Sequence, residues 1–196
     1  LRLQCKKMGA GLVVTEFTNI HSIIAKEKQL KDHMKTITEF IEYSDQERPL
    51  SIQLFGSDLL ALEQAAKIVE PYFDIIDYNM GCSAPHITQQ MAGGALLQQS
   101  NLTEQIFKTL VNAVKKPVTL KIRSGVTDAS RFLFRDIAEI AEDEGIQMIT
   151  FHPRTVHQGY SGNADWKLIK ELKEISNIPI VGNGDITTPE DAKKMI

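Results

Sequence analysis

Six strand patterns, each an apolar and largely β-branched run, recur along this chain and alternate with stretches of helical character. They begin near residues 12, 50, 75, 118, 148 and 178. Strands that alternate with helices in this way form parallel βαβ units. No linker or low-complexity segment interrupts the series, so we expect one domain over residues 1–196.

The number of units favours a barrel. A (β/α)8 barrel takes about 250 residues and eight units, whereas this chain supplies about six. We therefore predict an α/β fold that is part of a TIM (β/α)8 barrel, with a doubly wound parallel sheet as the alternative. The chain begins without Met and stops within a helical pattern, so we expect a fragment. The first and last predicted strands would then be open edges with a gap between them.

The individual elements follow from local patterns. The predicted strands are Leu12–Phe17, Leu50–Phe55, the run from Ile75, Val118–Arg123, Met148–Phe151 and Ile178–Val181. Helices are predicted after Asp58, from about Thr103, from Asp128 or Ser130 to Gly145, around Trp166, and from Thr188 with Pro189 at its first position. Residues 19–31 lack clean periodicity, and a helix is expected around residues 37–41.

Composition excludes several classes of protein. No run of about 18 apolar residues occurs, which argues against a membrane span, and no signal-peptide pattern is present. A net charge of -3 and a pI near 6.0 give no electrostatic sign of nucleic-acid binding. Cys5 and Cys82 offer neither a disulfide framework nor metal-ligand spacing. We expect a cytoplasmic protein without a metal.

Polar residues recur at the carboxyl ends of the predicted strands, where the chemistry of parallel α/β proteins is located. They are Gln53, Asn79, Cys82, Lys121, Arg123, His152, Arg154, Asn183, Gly184 and Asp185. Any one of them has a plain structural explanation, such as a hydrogen-bonded core histidine. Because burial of unpaired polar groups is costly, their recurrence strand after strand predicts a binding site.

The residue types indicate the ligand. Lys121, Gln53 and His152 suit a planar, carbonyl-rich ring that gains negative charge. We expect the Gly182–Gly184 turn to leave backbone N–H groups free for a phosphate. Flavin mononucleotide (FMN) meets both needs, and Lys121 would then stabilise the N1–C2=O edge of the reduced flavin.

Several segments together resemble one family. The segment DYNMGCSAPHITQQMAGGALL, with SIQLFGSD, VTLKIRSG, HPRTVHQGYSGNADW and PIVGNGDI, is similar to the tRNA-dihydrouridine synthases, flavoproteins that reduce uridines in tRNA. The resemblance covers essentially the whole chain. It implies strands two to seven of an eight-stranded FMN barrel, a C-terminal helical domain beyond this chain, tRNA as partner and NADPH as reductant.

The resemblance also implies roles for single residues. Cys82 matches the catalytic acid, and Asn79 the residue that contacts both flavin and uracil. Flavin-binding positions match Gln53, Lys121 and His152, while Asn183 and Gly184 match the phosphate-side turn, and Arg123 and Arg154 fall where substrate or flavin contacts are expected. Ser83, Pro85, His86 and Pro153 depart from the family pattern. These departures concern loop shape and tRNA contacts more than redox chemistry.

The chemistry agrees with the residues. Reduction of a uracil C5=C6 bond takes a hydride at C6 and a proton at C5, and a free cysteine, with a pKa of about 8.5, is mostly protonated at neutral pH. Two alternatives stay open. One is an FMN barrel acting on a free pyrimidine, and the other is a phosphate-handling barrel without redox chemistry. Tyr160, Trp166 and Arg131 could contact RNA, although Trp166 is the better candidate for a core residue.

Overall fold

The computed structural model describes residues 1–29 and 40–196. Its strands form one parallel, seven-stranded sheet. The strands are β1 (Val13–Val14), β2 (Thr18–Asn19), β3 (Leu50–Phe55), β4 (Ile75–Met80), β5 (Val118–Arg123), β6 (Ile149–His152) and β7 (Ile180–Gly182).

Helices lie between the strands. They are α1 (Arg2–Lys7), α2 (Ile20–Gln29), α3 (Leu59–Val69), α4 (Pro85–Thr88), α5 (Ser100–Ala113), α6 (Phe134–Asp143), α7 (Trp166–Ile175) and α8 (Pro189–Met195). Each longer helix buries one apolar stripe, as Leu62, Ala66 and Val69 do in α3. Within the described residues, no helix is both long and apolar enough to cross a membrane.

The strand order decides between the two predicted architectures. The sheet runs β1-β3-β4-β5-β6-β7, with β2 beside β3, so the spatial order follows the chain. A doubly wound sheet would reverse direction at a switch point, and this one does not. The fold is therefore part of a (β/α)8 barrel, as predicted. Within residues 1–29 and 40–196, β1 and β7 do not pair with each other, so the predicted gap is confirmed.

The first predicted strand was wrong in its extent. Two short strands, β1 and β2, take the place of the single strand expected over Leu12–Phe17. Strand β1 pairs with the start of β3, and β2 pairs with its end. Thr15 separates them, and its Oγ1 accepts the Gln53 N–H over 3.2 Å. A side-chain hydroxyl thus replaces a backbone carbonyl in the ladder, which breaks the strand in two.

Other differences concern element ends. Helix α2 occupies part of residues 19–31, where no periodicity predicts a helix. Only Ile20 and Ile23 of this helix are buried, and so short an apolar stripe gives little periodic signal. The helix expected around residues 37–41 falls mostly on residues 30–39, outside the described part of the chain. Helix α6 begins only at Phe134, after a 3-10 turn at Asp128–Ser130. The strand predicted from Ile178 begins at Ile180.

Other boundaries are confirmed. Strands β3 and β5 have the predicted limits, and α8 has the predicted cap, in which Thr188 Oγ1 accepts the Asp191 N–H. Strand β4 shows how the fold divides its side chains. Ile76, Tyr78 and Met80 belong to the apolar core, while the polar residues alternate with them on the opposite face.

Candidate active site

A cavity of about 620 Å³ opens at the carboxyl ends of the strands. Its volume is in the range typical of small-molecule and cofactor sites. It is lined by all of the residues predicted for the site, which are Gln53, Asn79, Cys82, Lys121, Arg123, His152, Arg154, Asn183, Gly184 and Asp185. Because Gln53 on β3 and Gly184 after β7 line the same space, the sheet must curve round it.

A hydrogen-bonded row of side chains on adjacent strands, which we call the floor, consists of Gln53, Asp77, Asn79 and Thr119. Gln53 and Asn79 line the cavity, and Asp77 and Thr119 support them. Asp77 Oδ1 accepts from Thr119 Oγ1 at 2.5 Å, and Asp77 Oδ2 accepts from Gln53 Nε2 at 2.6 Å. Gln53 Oε1 in turn accepts from Asn79 Nδ2 at 2.7 Å. Strand pairing places Asp77 opposite both Gln53 and Thr119, so the register of the sheet builds this row.

Residues 81–84, which we call the cysteine loop, are held to the floor by hydrogen bonds. Asn79 Oδ1 accepts the N–H groups of Gly81 and Cys82, at 3.2 and 3.0 Å. On the other side, the Cys82 carbonyl accepts the Gly94 N–H at 2.9 Å. Gly93 packs so closely that an added Cβ would lie 2.8 Å from the Cys82 carbonyl oxygen. The backbone of Cys82 is therefore held in place beside the cavity.

Lys121 reaches across the cavity. Its Nζ donates to Asn183 Oδ1 at 2.7 Å, which joins β5 to the turn after β7. Burial lowers the pKa of Lys121 to about 8, although the charge of Asp77 acts in the opposite direction. A lysine with this pKa is mainly cationic at neutral pH.

One expectation about the Gly182–Gly184 turn was wrong in part. The Asn183 N–H donates to the Phe151 carbonyl at 3.0 Å and continues the sheet, so this N–H is not available to a phosphate. Gly184 allows His152 to pack against the backbone of this turn. It has a φ of +118°, and an added Cβ would lie 2.9 Å from His152 Cδ2.

His152 is a neutral member of the site. Burial lowers its pKa to about 4, and the charges of Arg123, Lys121 and Arg154 act in the same direction. Arg154 Nη1 lies 3.3 Å from His152 Nε2. Since a guanidinium can only donate, Nε2 accepts and the ring proton is on Nδ1.

Two arginines, one aspartate and one tyrosine form what we call the rim: Arg123, Arg154, Tyr160 and Asp185. Arg154 Nη2 contacts both oxygens of Asp185, at 2.8 and 2.9 Å. Arg123 donates to the carbonyls of Gly81, Thr155 and Gly159 and therefore ties two loops together. Its guanidinium also lies 5.8 Å from the centre of the Tyr160 ring, which is 85% exposed.

The other residues considered for RNA contact are accounted for differently. Trp166 packs against the core and donates from Nε1 to the Gly184 carbonyl at 3.0 Å, in agreement with its interpretation as a core residue. Arg131 forms an ion pair with Asp165 at 2.6 Å.

Sequence reasoning missed several residues of this region, among them Phe17, Asp77 and Thr119. Phe17 lines the cavity, is partly exposed, and forms a T-shaped ring contact with Phe55. Asp77 was not singled out, although a carboxylate in the middle of an apolar strand, two residues before Asn79, was a usable signal.

Comparison with known proteins gives a consistent result. A sequence model of the family described as Dihydrouridine synthase (Dus) matches residues 1–196. The chain is 40% identical to tRNA-dihydrouridine synthase B of Vibrio parahaemolyticus over 96% of its length, and 38% identical to tRNA-dihydrouridine synthase B of Escherichia coli over its whole length. It covers 56% and 59% of those relatives, so it spans just over half of each.

A solved structure supports the fold independently. The old yellow enzyme homologue of Zymomonas mobilis superposes on 98% of this chain, with a TM-score of 0.65, and the chain covers 74% of that structure. Sequence identity is only 16%, so this similarity concerns the fold alone.

Proposed function

Because the chain belongs to the dihydrouridine synthase family, we propose that the full-length protein reduces uridine in tRNA to 5,6-dihydrouridine in the cytoplasm. FMN is the proposed cofactor and NADPH the proposed reductant. The relatives named above carry this activity in their names. The observation that carries the proposal is the convergence of the cysteine, the lysine and the amide row on one cavity.

The side chains present fit a flavin. Gln53 and Asn79 each use one amide N–H within the floor, so each retains a second N–H for a ring carbonyl. Lys121 adds a cation on the same side of the cavity. Gly184 lines the same cavity, packed directly against His152. These four residues, with His152 and Asn183, would hold the cofactor.

Reduced FMN, held by these residues, would supply the hydride needed at C6 of the uracil ring. Lys121, cationic at neutral pH, would stabilise the negative charge on the reduced flavin ring. Asn79, Arg123 and Arg154 also line the cavity and are the proposed contacts to the uridine. Arg123 and Arg154 are already fixed by backbone carbonyls and Asp185, so they offer preorganised positive charge.

The proton for C5 comes from Cys82 in this proposal. His152 is a poor donor, because its pKa of about 4 leaves no second proton on the ring at neutral pH. Lys121 is held by Asn183 and is assigned to the cofactor. The Cys82 thiol is partly exposed and is anchored through its own backbone. After transfer to C5, the thiolate regains a proton from water.

The test uses the full-length protein with FMN, NADPH and an unmodified tRNA transcript, with dihydrouridine measured by mass spectrometry. Cys82→Ala should keep FMN and slow uridine reduction by about 10²–10⁴-fold, the usual contribution of general acid catalysis. Cys5→Ala is the matched control, because Cys5 is exposed and is not among the residues that line the cavity.

Two outcomes would contradict the proposal. Reduction by Cys82→Ala within about twofold of wild type would remove the assigned role of the thiol. Faster reduction of free uracil than of tRNA would instead favour the alternative, a barrel acting on a free pyrimidine.

A further inference from the structure

We propose that Asp77 is a positioning residue, which determines which atoms Gln53 and Asn79 present to the cavity and how the Cys82 loop is held. The significance of those atoms for a flavin rests on the function proposed above. The hydrogen-bond geometry itself does not.

The first step concerns Gln53. Asp77 is 4% exposed, and both of its oxygens face donors, Thr119 Oγ1 and Gln53 Nε2. An ionised carboxylate only accepts hydrogen bonds. It therefore forces the NH₂ group of Gln53 towards itself and turns Oε1 the other way. An amide without such a partner could lie in either of two orientations.

The orientation of Gln53 in turn determines the orientation of Asn79. Gln53 Oε1 can only accept, so Asn79 must turn its NH₂ group towards it. Asn79 Oδ1 is then directed to the N–H groups of Gly81 and Cys82. One carboxylate thus fixes two amides and, through them, the start of the cysteine loop.

The third step concerns what the cavity receives. In this arrangement each amide has one N–H left over, and no partner for it lies among residues 1–29 and 40–196. Both side chains line the cavity. The floor therefore presents donors to a ligand, which suits a ring edge rich in carbonyl oxygens. Inversion of either amide would present an acceptor to the same edge.

The burial of Asp77 is also consistent with a positioning role. A buried carboxylate costs free energy unless it is well bonded. Burial raises the pKa of Asp77, while the hydrogen bonds from Thr119 and Gln53 and the charge of Lys121 act to lower it. An apolar residue would fill this position between Ile76 and Tyr78 more cheaply, but it would leave the Gln53 amide without orientation.

The main experiment exchanges donor and acceptor. Gln53→Glu places a second carboxylate against Asp77, at the site of a 2.6 Å contact between the two side chains, and like charges there repel. Adding Asp77→Asn to this variant restores a donor, since the new amide can donate to the carboxylate introduced in place of Gln53. That carboxylate can still accept from Asn79 Nδ2.

The first measurement follows hydrogen exchange of the Asn79 side-chain amide by NMR in the full-length protein without cofactor. Gln53→Glu should raise its exchange rate at least about tenfold, and the double variant should return it to within about threefold of wild type. FMN titration provides a second readout. The single variant should bind about tenfold more weakly, the loss expected for one charge-assisted hydrogen bond, and the double variant should recover part of that.

The wild-type protein provides a test that does not depend on folding of the variants. The side-chain amides of Gln53 and Asn79 should exchange more slowly than that of Gln89, an exposed residue. Equal exchange rates would overturn the proposal. So would a double variant no better than Gln53→Glu in Asn79 protection. Protected amides in a protein that reduces no uridine would disprove only the proposed function.

Discussion

The floor and the rim of the cavity hold their side chains in place by different kinds of hydrogen bond. In the floor, Asp77, Gln53 and Asn79 lie on strands and bond to one another, side chain to side chain. In the rim, Arg123 and Arg154 use much of their hydrogen bonding on backbone carbonyls of the loops. Amides and carboxylates on paired strands can fix a ligand's orientation, because register fixes them. Long cations anchored to loops provide charge whose position depends on loop conformation.

The comparison predicts that changes to the floor alter cofactor binding, whereas changes to the rim alter tRNA binding. Lys121 belongs to a floor strand but bonds to the rim side of the cavity, through Asn183. Variants of Lys121 therefore test whether it acts in cofactor binding, with the floor, or in tRNA binding, with the rim.

Lys121→Met should have the largest effect, lowering the rate of flavin reduction by NADPH about 10²-fold, because one preorganised charge is lost where negative charge develops. Stopped-flow absorbance of the FMN-loaded protein measures this rate. Lys108→Met, at an exposed lysine, is the matched control and should behave like wild type. An unchanged reduction rate and FMN affinity in Lys121→Met, with a higher KM for tRNA, would move Lys121 to the rim.

Gly93→Ala tests whether the cysteine loop needs support from outside the floor. Gly93 has a φ of +59°, and an added Cβ would lie 3.0 Å from Cys82 Cβ. We expect uridine reduction about tenfold slower with FMN affinity unchanged, and a loss of about 1–2 kcal/mol in unfolding free energy. Gly9→Ala has similar strain, at a φ of +96°, but open space around it. It should lose stability without losing rate; an equal loss of rate in both would mean that strain alone explains the effect.

The pH dependence separates a lysine from a histidine. With a pKa lowered to about 8, Lys121 loses its charge as pH rises above that value, so FMN should bind about fivefold more weakly at pH 8.7 than at pH 7. His152, with a pKa lowered to about 4, stays neutral on acidification to pH 5, so it should contribute no change in FMN affinity in that range. Fluorescence titration of FMN measures both limbs. An alkaline loss that persists in Lys121→Met would show that another group is responsible.

Tyr160→Ala should give the smallest effect, confined to the rim. The ring is 85% exposed and contacts the guanidinium of Arg123. We expect the KM for tRNA to rise about threefold, as for loss of an exposed cation–π or stacking contact, with kcat and the melting temperature unchanged. Tyr160→Phe keeps the ring and should match wild type. A change in FMN affinity instead would place Tyr160 with the cofactor.

The sequence was sufficient to predict which residues meet at the cavity. Carboxyl ends of parallel strands converge, so Gln53, Asn79, Lys121 and His152 could be brought together from strand order alone. The limits of β3 and β5 could be predicted because apolar runs follow a proline and end at Gly56 and Ser124.

What the sequence could not provide is the orientation of side chains that depend on other strands. The role of Asp77 is visible only when β3 and β5 flank β4. The break at Thr15 depends on its hydroxyl reaching β3, and the Asn183 N–H is used because β6 supplies a carbonyl. Each of these is a contact between distant parts of the chain, which local patterns do not encode.

The alternation along β4 has a consequence for how this protein can vary. Ile76 and Met80 are constrained by volume, since they fill the core, whereas Asp77 and Asn79 are constrained by hydrogen-bond valence. Tyr78 is constrained by both, because its buried hydroxyl donates to the Gly56 carbonyl at 2.7 Å. Ile76 and Met80 can be replaced together by other apolar residues if the total volume is kept. Insertion of a single residue before Asp77 would exchange the two sets between the faces of the sheet. The strand thus tolerates substitution far better than it tolerates a change in length.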